Sequence, residues 1–149
     1  MRAVLQRVSS SSVEVGNREV GKIKTGLLIL LGIGENDTIE DMKYLADKIV
    51  DLRVFSDQSG KMNLSALDVD AELLIVSQFT LYGDCRQGRR PSFADAASAN
   101  KAEELYEEFI SYINKYELKV ETGEFKTEMK VSLVNEGPVT ILLDSKRDF

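Results

Sequence analysis

Val131-Ser132-Leu133-Val134-Asn135-Glu136-Gly137-Pro138-Val139-Thr140-Ile141-Leu142-Leu143 is the stretch on which the fold turns. Its apolar, β-branched flanks read as strands near residues 128–134 and 138–143. Between them stands one of the chain's two prolines. Proline lacks the N–H that a ladder needs and is confined to edges, strand starts or bulges, while glycine accepts backbone angles closed to other residues. Two readings are open from these residues alone: a tight turn between two short strands, or a cis peptide that aims backbone carbonyls at a ligand.

Working outward from there, the N-terminal half opens with β-branched alternation over residues 2–8 and 12–15. Gly16-Asn17 and residues 19–23 then suggest a hairpin. Leu27 to Ile33 is a continuous apolar run, which predicts a strand buried on both faces. Asn36-Asp37-Thr38 offers helix caps, with Asp41 three residues after Thr38. Apolar residues at 39, 42, 45, 46, 49 and 52 predict one amphipathic helix. Residues 61–71 show no period and read as a connection, residues 72–79 as a strand, and residues 83–97, with two glycines, a proline and three arginines, as an exposed loop. A second helix follows a cap at Ser98 or Asn100, with Ala102, Leu105, Tyr106, Phe109, Ile113 and Tyr116 at helical spacing opposite Glu103, Glu104, Glu107 and Glu108. A strand near 118–122 leads to the opening stretch, and the polar tail 145–149 is expected to fray. This order predicts an α/β fold: two strand-helix units between N-terminal and C-terminal antiparallel strands.

Composition narrows the chemistry. The 149 residues are 43% hydrophobic, enough for one domain with its own core. A net charge of -6 argues against nucleic-acid binding through overall charge, so any RNA contact must be local. Arg86, Arg89 and Arg90 are the densest basic cluster, either a phosphate track or a solvated loop. Cys85 is the sole cysteine, which fits a reducing, cytoplasmic setting, and no run approaches the ~18 apolar residues of a membrane span. The chain has no histidine. That removes Ser-His and Cys-His nucleophile pairs and histidine-ligated metals, and no carboxylate cluster has ligand spacing, so neither metal nor cofactor is expected. Ser77 and Thr80 lie at the end of a buried strand, where sites of α/β proteins open. An activated threonine would need a lysine or terminal amine, and none adjoins it in sequence.

The segment Ser77-Gln78-Phe79-Thr80-Leu81-Tyr82-Gly83, with Arg90-Pro91-Ser92-Phe93, Asn135 to Thr140 and the opening Met1 to Val8, makes the chain resemble the D-aminoacyl-tRNA deacylases, also called D-tyrosyl-tRNA deacylases. The resemblance runs from residue 1 to about residue 144. It implies one domain over residues 1–149 in three layers (helices, sheet, sheet), working as a homodimer on mischarged D-aminoacyl-tRNA and on glycyl-tRNA(Ala).

The site residues it implies make few demands on side chains. The 2′-OH of the terminal adenosine would assist the attack of water, while the backbone amides of Phe79 and Thr80 face the scissile carbonyl, with Ser77 and Gln78 beside them. Gly137 and Pro138, from the partner subunit, would hold the α-ammonium and reject L side chains. Arg7 would bond the backbone of that segment, with Asn135 in the same supporting set, and Phe125 and Met129 would line the adenosine pocket. The departures are Gln87-Gly88, where relatives often place a lysine before the glycine, and Ser11 for a common alanine. Two other readings compete: a small-molecule esterase with Thr80 as nucleophile, and a binding module without turnover.

Overall fold

The computed structural model of the protein describes residues 1–148. Its trunk is β1 (Arg2–Val15), flanked on one edge along its whole length by antiparallel β8 (Lys130–Asp144). On the other edge the first half of β1 pairs with β3 (Gly26–Gly32) and the second half with β2 (Arg18–Ile23). β6 (Glu72–Ser77) adds parallel to β3, and β7 (Val120–Thr122) parallel to β6. Parallel neighbours need crossovers, and the two helices supply them: α1 (Ile39–Asp51) between β3 and β6, α2 (Ala99–Ile113) between β6 and β7. These are the two predicted strand-helix units.

The pairing of β1 with β8 shifts register between Gln6 and Ser10, and the half of the sheet carrying β2 curls back over β6 and β7. Lys119 Nζ, just before β7, lies 3.4 Å from the Lys22 carbonyl of β2, and Arg18 pairs with Glu124 at 2.8 Å. The result is a mixed α/β fold with a nearly closed, barrel-shaped sheet and two helices.

Two apolar clusters follow from strand alternation. Leu27, Ile29 and Leu31 of β3 point to the helices and meet Met42, Leu45 and Ile49 of α1 and Phe109 of α2. Leu28 points the other way, to Leu74, Val76, Val13 and Ile23 inside the curl. β3 is thus buried on both faces, as its unbroken apolar run predicts. α1 begins where the sequence places it: Thr38 and Asp41 cap one another reciprocally, with the Asp41 carboxylate accepting the Thr38 N–H at 2.9 Å.

One open reading is decided and three expectations are corrected. Gly137-Pro138 is not a turn between two strands, because both flanks pair with the same strand, β1, in the same direction; the peptide is cis and interrupts a continuing strand. Within residues 61–71, β5 (Met62–Leu64) pairs with β4 (Phe55–Ser56), pieces too short to show a period. The strand predicted for 72–79 ends at Ser77, and Phe79–Tyr82 form a 3-10 turn. The start of the tail is anchored: Ser145 donates its N–H to the Met1 carbonyl at 2.8 Å, and its hydroxyl accepts from the Met1 ammonium at 2.6 Å. Phe149 lies outside the described residues. No helix among the described residues is long and apolar enough to cross a membrane.

Candidate active site

The site starts where β6 stops. Gln78 prolongs the ladder by one bond, its N–H reaching the Leu31 carbonyl at 2.8 Å, and the chain then winds into the 79–82 turn against Gly32. A Cβ on Gly32 would sit 3.0 Å from both the Gln78 carbonyl and Leu81 Cβ, so the turn packs this closely only against glycine. A helical turn leaves its first N–H groups without partners. Among the described residues the amides of Phe79 and Thr80 donate to no acceptor. The Phe79 ring is 59% exposed and meets Phe93 edge to face, centroids 5.1 Å apart.

Beside this turn opens a cavity of ≈ 690 Å³. Ser77, Gln78 and Phe79 form one wall and Phe125 and Met129 another, while Leu31, Ile33 and Val76 line it from the sheet and Ala97 and Ala102 from the helix side. Phe125 is held from behind by Tyr106, centroids 5.7 Å apart. Tyr106 in turn donates its hydroxyl to the Ile75 carbonyl at 2.8 Å, and burial pushes that phenol's pKa up, which keeps it a neutral donor. Met129 packs closely over Gly123, where a Cβ would lie 2.6 Å from its sulfur and the flexible thioether would have to move aside. The arrangement is an apolar pocket with aromatic faces and a pair of unspent amides beside it, suited to a flat heterocycle joined to a polarisable carbonyl.

Five predicted site residues, Ser77, Gln78, Phe79, Phe125 and Met129, therefore gather around one cavity. Thr80 adjoins it with an exposed side chain whose hydroxyl accepts from Gln78 Nε2. Among the described residues no basic side chain bonds to that hydroxyl.

Gly137, Pro138 and Asn135 are not brought to the same cavity. They lie on the exposed stretch of β8, tied back by Arg7, whose Nε donates to the Glu136 carbonyl at 3.1 Å and whose Nη1 donates to the Val54 carbonyl at 2.6 Å. The Asn135 carboxamide nitrogen faces the carbonyls of Val139 and Arg7, each at 3.2 Å.

The arginine loop is uneven. Arg86 is engaged by Asp84 through Nε and Nη2, each at 2.8 Å, and these bonds hold the Asp84 carboxyl well below the usual range. Arg89 and Arg90 are exposed and make no ion pair among the described residues. A smaller hollow of ≈ 330 Å³ lies beside Arg86, with Arg2, Tyr82 and Asp95 on its wall.

Sequence reasoning gave no site role to Phe93, Ala97, Ala102 or Lys126, although Phe93 stands in the family motif and Ala102 on the apolar face of the second helix. Phe93 carried a usable signal, an aromatic in a Pro-containing exposed loop; the alanines and the lysine carried none.

Comparison with known proteins bears on this geometry. The family described as D-Tyr-tRNA(Tyr) deacylase matches residues 4–144. A D-aminoacyl-tRNA deacylase of Thermosipho africanus is 63% identical over 149 residues, covering 100% of both chains, and one of Thermosipho melanesiensis is 62% identical, also covering 100% of both. Among solved structures, a c-Myc DNA unwinding element binding protein superposes with a TM-score of 0.91 at 40% identity, covering 97% of this chain and 98% of its own. A probable eukaryotic D-amino acid tRNA deacylase superposes with a TM-score of 0.83 at 19% identity over 96% of this chain and 98% of its own, a likeness of fold.

Proposed function

This chain belongs to the D-aminoacyl-tRNA deacylase family and has that family's hydrolytic activity, and we propose that it cleaves the ester of mischarged D-aminoacyl-tRNA, and of glycyl-tRNA(Ala), by positioning the substrate rather than by a side-chain nucleophile. The observation that carries the reading is the pair of free amides at Phe79 and Thr80, beside a cavity walled on its other side by Phe125 and Met129. The terminal adenosine enters the cavity with its base against Phe125. The ester carbonyl faces the two amides, which donate to the oxyanion as water attacks with help from the ribose 2′-OH, and free amino acid and tRNA leave. Ser77 and Gln78 line the approach. Arg89 and Arg90, with Arg86 once it exchanges Asp84 for phosphate, track the acceptor stem.

Chirality is read by a second copy. The partner's Gly137 and Pro138 enter this pocket and accept hydrogen bonds from the substrate α-ammonium through their carbonyls. With ammonium and ester carbonyl both fixed, an L side chain runs into that backbone while a D side chain points into the open, so selectivity is rejection of L residues. The exposure of the 132–138 stretch, apolar at Leu133 and Val134, supports such an encounter. Residues 1–149 act as one domain, in which the curled sheet gives the helices, sheet, sheet layering of the family.

The test is ester loss from matched D-tyrosyl-tRNA and L-tyrosyl-tRNA. Cleavage of the D-ester alone is expected. Equal cleavage of both would remove the chiral filter, and loss of activity on RNA lacking the terminal 2′-OH separates this mechanism from a Thr80 esterase.

A further inference from the structure

Among the described residues lining the large cavity, only Lys126 and Glu128 carry charge. Lys126 sits on the loop between β7 and β8, where Thr127 donates its hydroxyl to the Glu124 carbonyl at 2.8 Å and Lys126 takes φ 60°, a left-handed conformation uncommon for a lysine. From that position its Nζ lies 3.7 Å from the Glu103 carboxylate of α2, so the pair bridges loop and helix at the cavity rim. Both side chains are about half exposed, at 53% and 43%. A pair of this kind gives up its partner readily, because exposed ion pairs gain little over separate hydration.

We propose that Lys126 is a positioning residue that takes the phosphate 5′ to the terminal adenosine, exchanging Glu103 for it. The inference rests on the adenosine occupying the cavity as proposed above. A base inserted between Phe125 and the sheet must send its 5′ oxygen outward, since the rest of the RNA has to leave through the mouth. The first group met there is a phosphate diester. Glu103 of α2 and Glu128 stand at the rim, Glu104, Glu107 and Glu108 make the outer face of the same helix acidic, and the whole chain carries a net charge of -6. Without a cation at the rim, the last phosphate of the substrate would approach an acidic face. A lysine is suited to the exchange: its ammonium is a compact point charge on a flexible stem, able to swing from carboxylate to phosphate without a fixed fork geometry.

The experiment compares kcat/KM for the D-tyrosyl ester of adenosine, which has no phosphate, with that for the same ester of cytidylyl-adenosine, in wild type, Lys126→Gln, Lys126→Arg and Glu103→Gln. Glutamine and arginine meet the same backbone constraint at residue 126 as lysine, so loop shape is held. In Lys126→Gln the preference for the phosphate-bearing ester should fall about tenfold, the scale of one charge-assisted contact near a surface. The loss should lie in KM. Lys126→Arg should restore most of the preference, and Glu103→Gln should raise it by freeing the lysine. On full tRNA, Lys126→Gln should flatten the slope of log K against log salt by about 0.7, one single-strand phosphate contact. Equal loss on both esters, or no loss on either, overturns the proposal. If wild type cleaves D-tyrosyl-tRNA yet a non-hydrolysable D-tyrosyl-adenosine amide binds without protecting Phe125, the placement of adenosine is wrong, and the proposal falls with it for that separate reason.

Discussion

Arg7 joins two carbonyls that are far apart in sequence, donating from Nε to Glu136 at 3.1 Å and from Nη1 to Val54 at 2.6 Å. One guanidinium thereby fixes the exposed stretch of β8 to the segment that follows α1. Only a forked donor spans both acceptors. Arg7→Ala should cost about 1–2 kcal/mol, the range for hydrogen bonds from a charged group discounted for partial exposure. If the Glu136 to Pro138 backbone is the chiral gate, the D over L ratio in kcat/KM should fall by about tenfold as that backbone loosens, equivalent to 1.4 kcal/mol. Lys at this position can hold one carbonyl and should lie between the two. Urea midpoints and paired D- and L-tyrosyl-tRNA assays measure the effects separately. An unchanged D over L ratio in a destabilised Arg7→Ala protein would detach the segment from selectivity.

Thr80 tests the division of labour between backbone and side chain. Its hydroxyl accepts from Gln78 Nε2, and among the described residues it has no base beside it and its amide is free. Thr80→Ala removes the first and keeps the second. Activity on D-tyrosyl-tRNA should stay within about threefold of wild type, far short of the 10²–10³ loss that follows removal of an oxyanion donor. A loss of a thousandfold or more would put the nucleophile back on Thr80 and favour the esterase reading.

Much of this architecture was legible because it is local. Thr38 and Asp41 stand three apart and cap α1 as the sequence predicts, and the run Leu27 to Ile33 has the unbroken apolar character that burial on both faces demands. The end of β6 was harder to read. Phe79, Leu81 and Tyr82 continue the apolar and aromatic pattern of the strand, yet the chain turns because Gly32 lets it pack there, a contact 46 residues away from Gln78 in sequence. Asp37 shows the same limit. Read locally it is one of three cap candidates, but it is buried and accepts from the Met1 ammonium at 2.5 Å, the Gly34 N–H at 2.6 Å and the Tyr82 hydroxyl at 3.2 Å. Lys126 had no sequence signal at all, since its place at the rim depends on where α2 lies.

Asp41 links the cap of α1 to the C-terminal segment. Burial pushes its pKa up, but hydrogen bonds from Lys146, Ser145 and Thr38 outweigh that and hold the carboxyl well below the usual range. The Lys146 Nζ lies 2.6 Å from its Oδ2. A depressed folded-state pKa means that the stabilisation is fully present above the unfolded value of about 3.9 and is lost as pH falls through the folded value. Asp41→Asn should therefore cost about 1 kcal/mol near pH 7, the scale of a helix-cap contact. The gap between wild type and variant should narrow steadily as pH falls below about 4, because the unfolded chain takes up the proton there while folded Asp41 holds its charge to far lower pH. Denaturant unfolding at several pH values measures this, and a gap that stays constant into acid would assign the loss to side-chain shape instead of charge.

Val134 sits where the proposed second copy would have to dock. It is 58% exposed on β8, next to Leu133 at 37%, and Leu142 farther along the same strand is 63% exposed. Among the described residues β8 pairs only with β1, which leaves its other edge without a strand. An apolar, unpaired edge is a template for a partner unless something covers it. If a second copy covers it and brings Gly137-Pro138 to the neighbour's cavity, one charge at Val134 should weaken assembly and catalysis together. Val134→Glu is expected to sediment as a monomer at concentrations where wild type is a dimer, and to lose D-tyrosyl-tRNA cleavage in proportion to the dimer lost. Val134 is solvent-exposed in the single chain, so its thermal unfolding at low concentration should change little, within the ±0.5 kcal/mol usual for surface sites. A monomeric variant with full activity and intact preference for the D-ester would show that each chain completes its own site, and the cross-subunit filter would have to be abandoned.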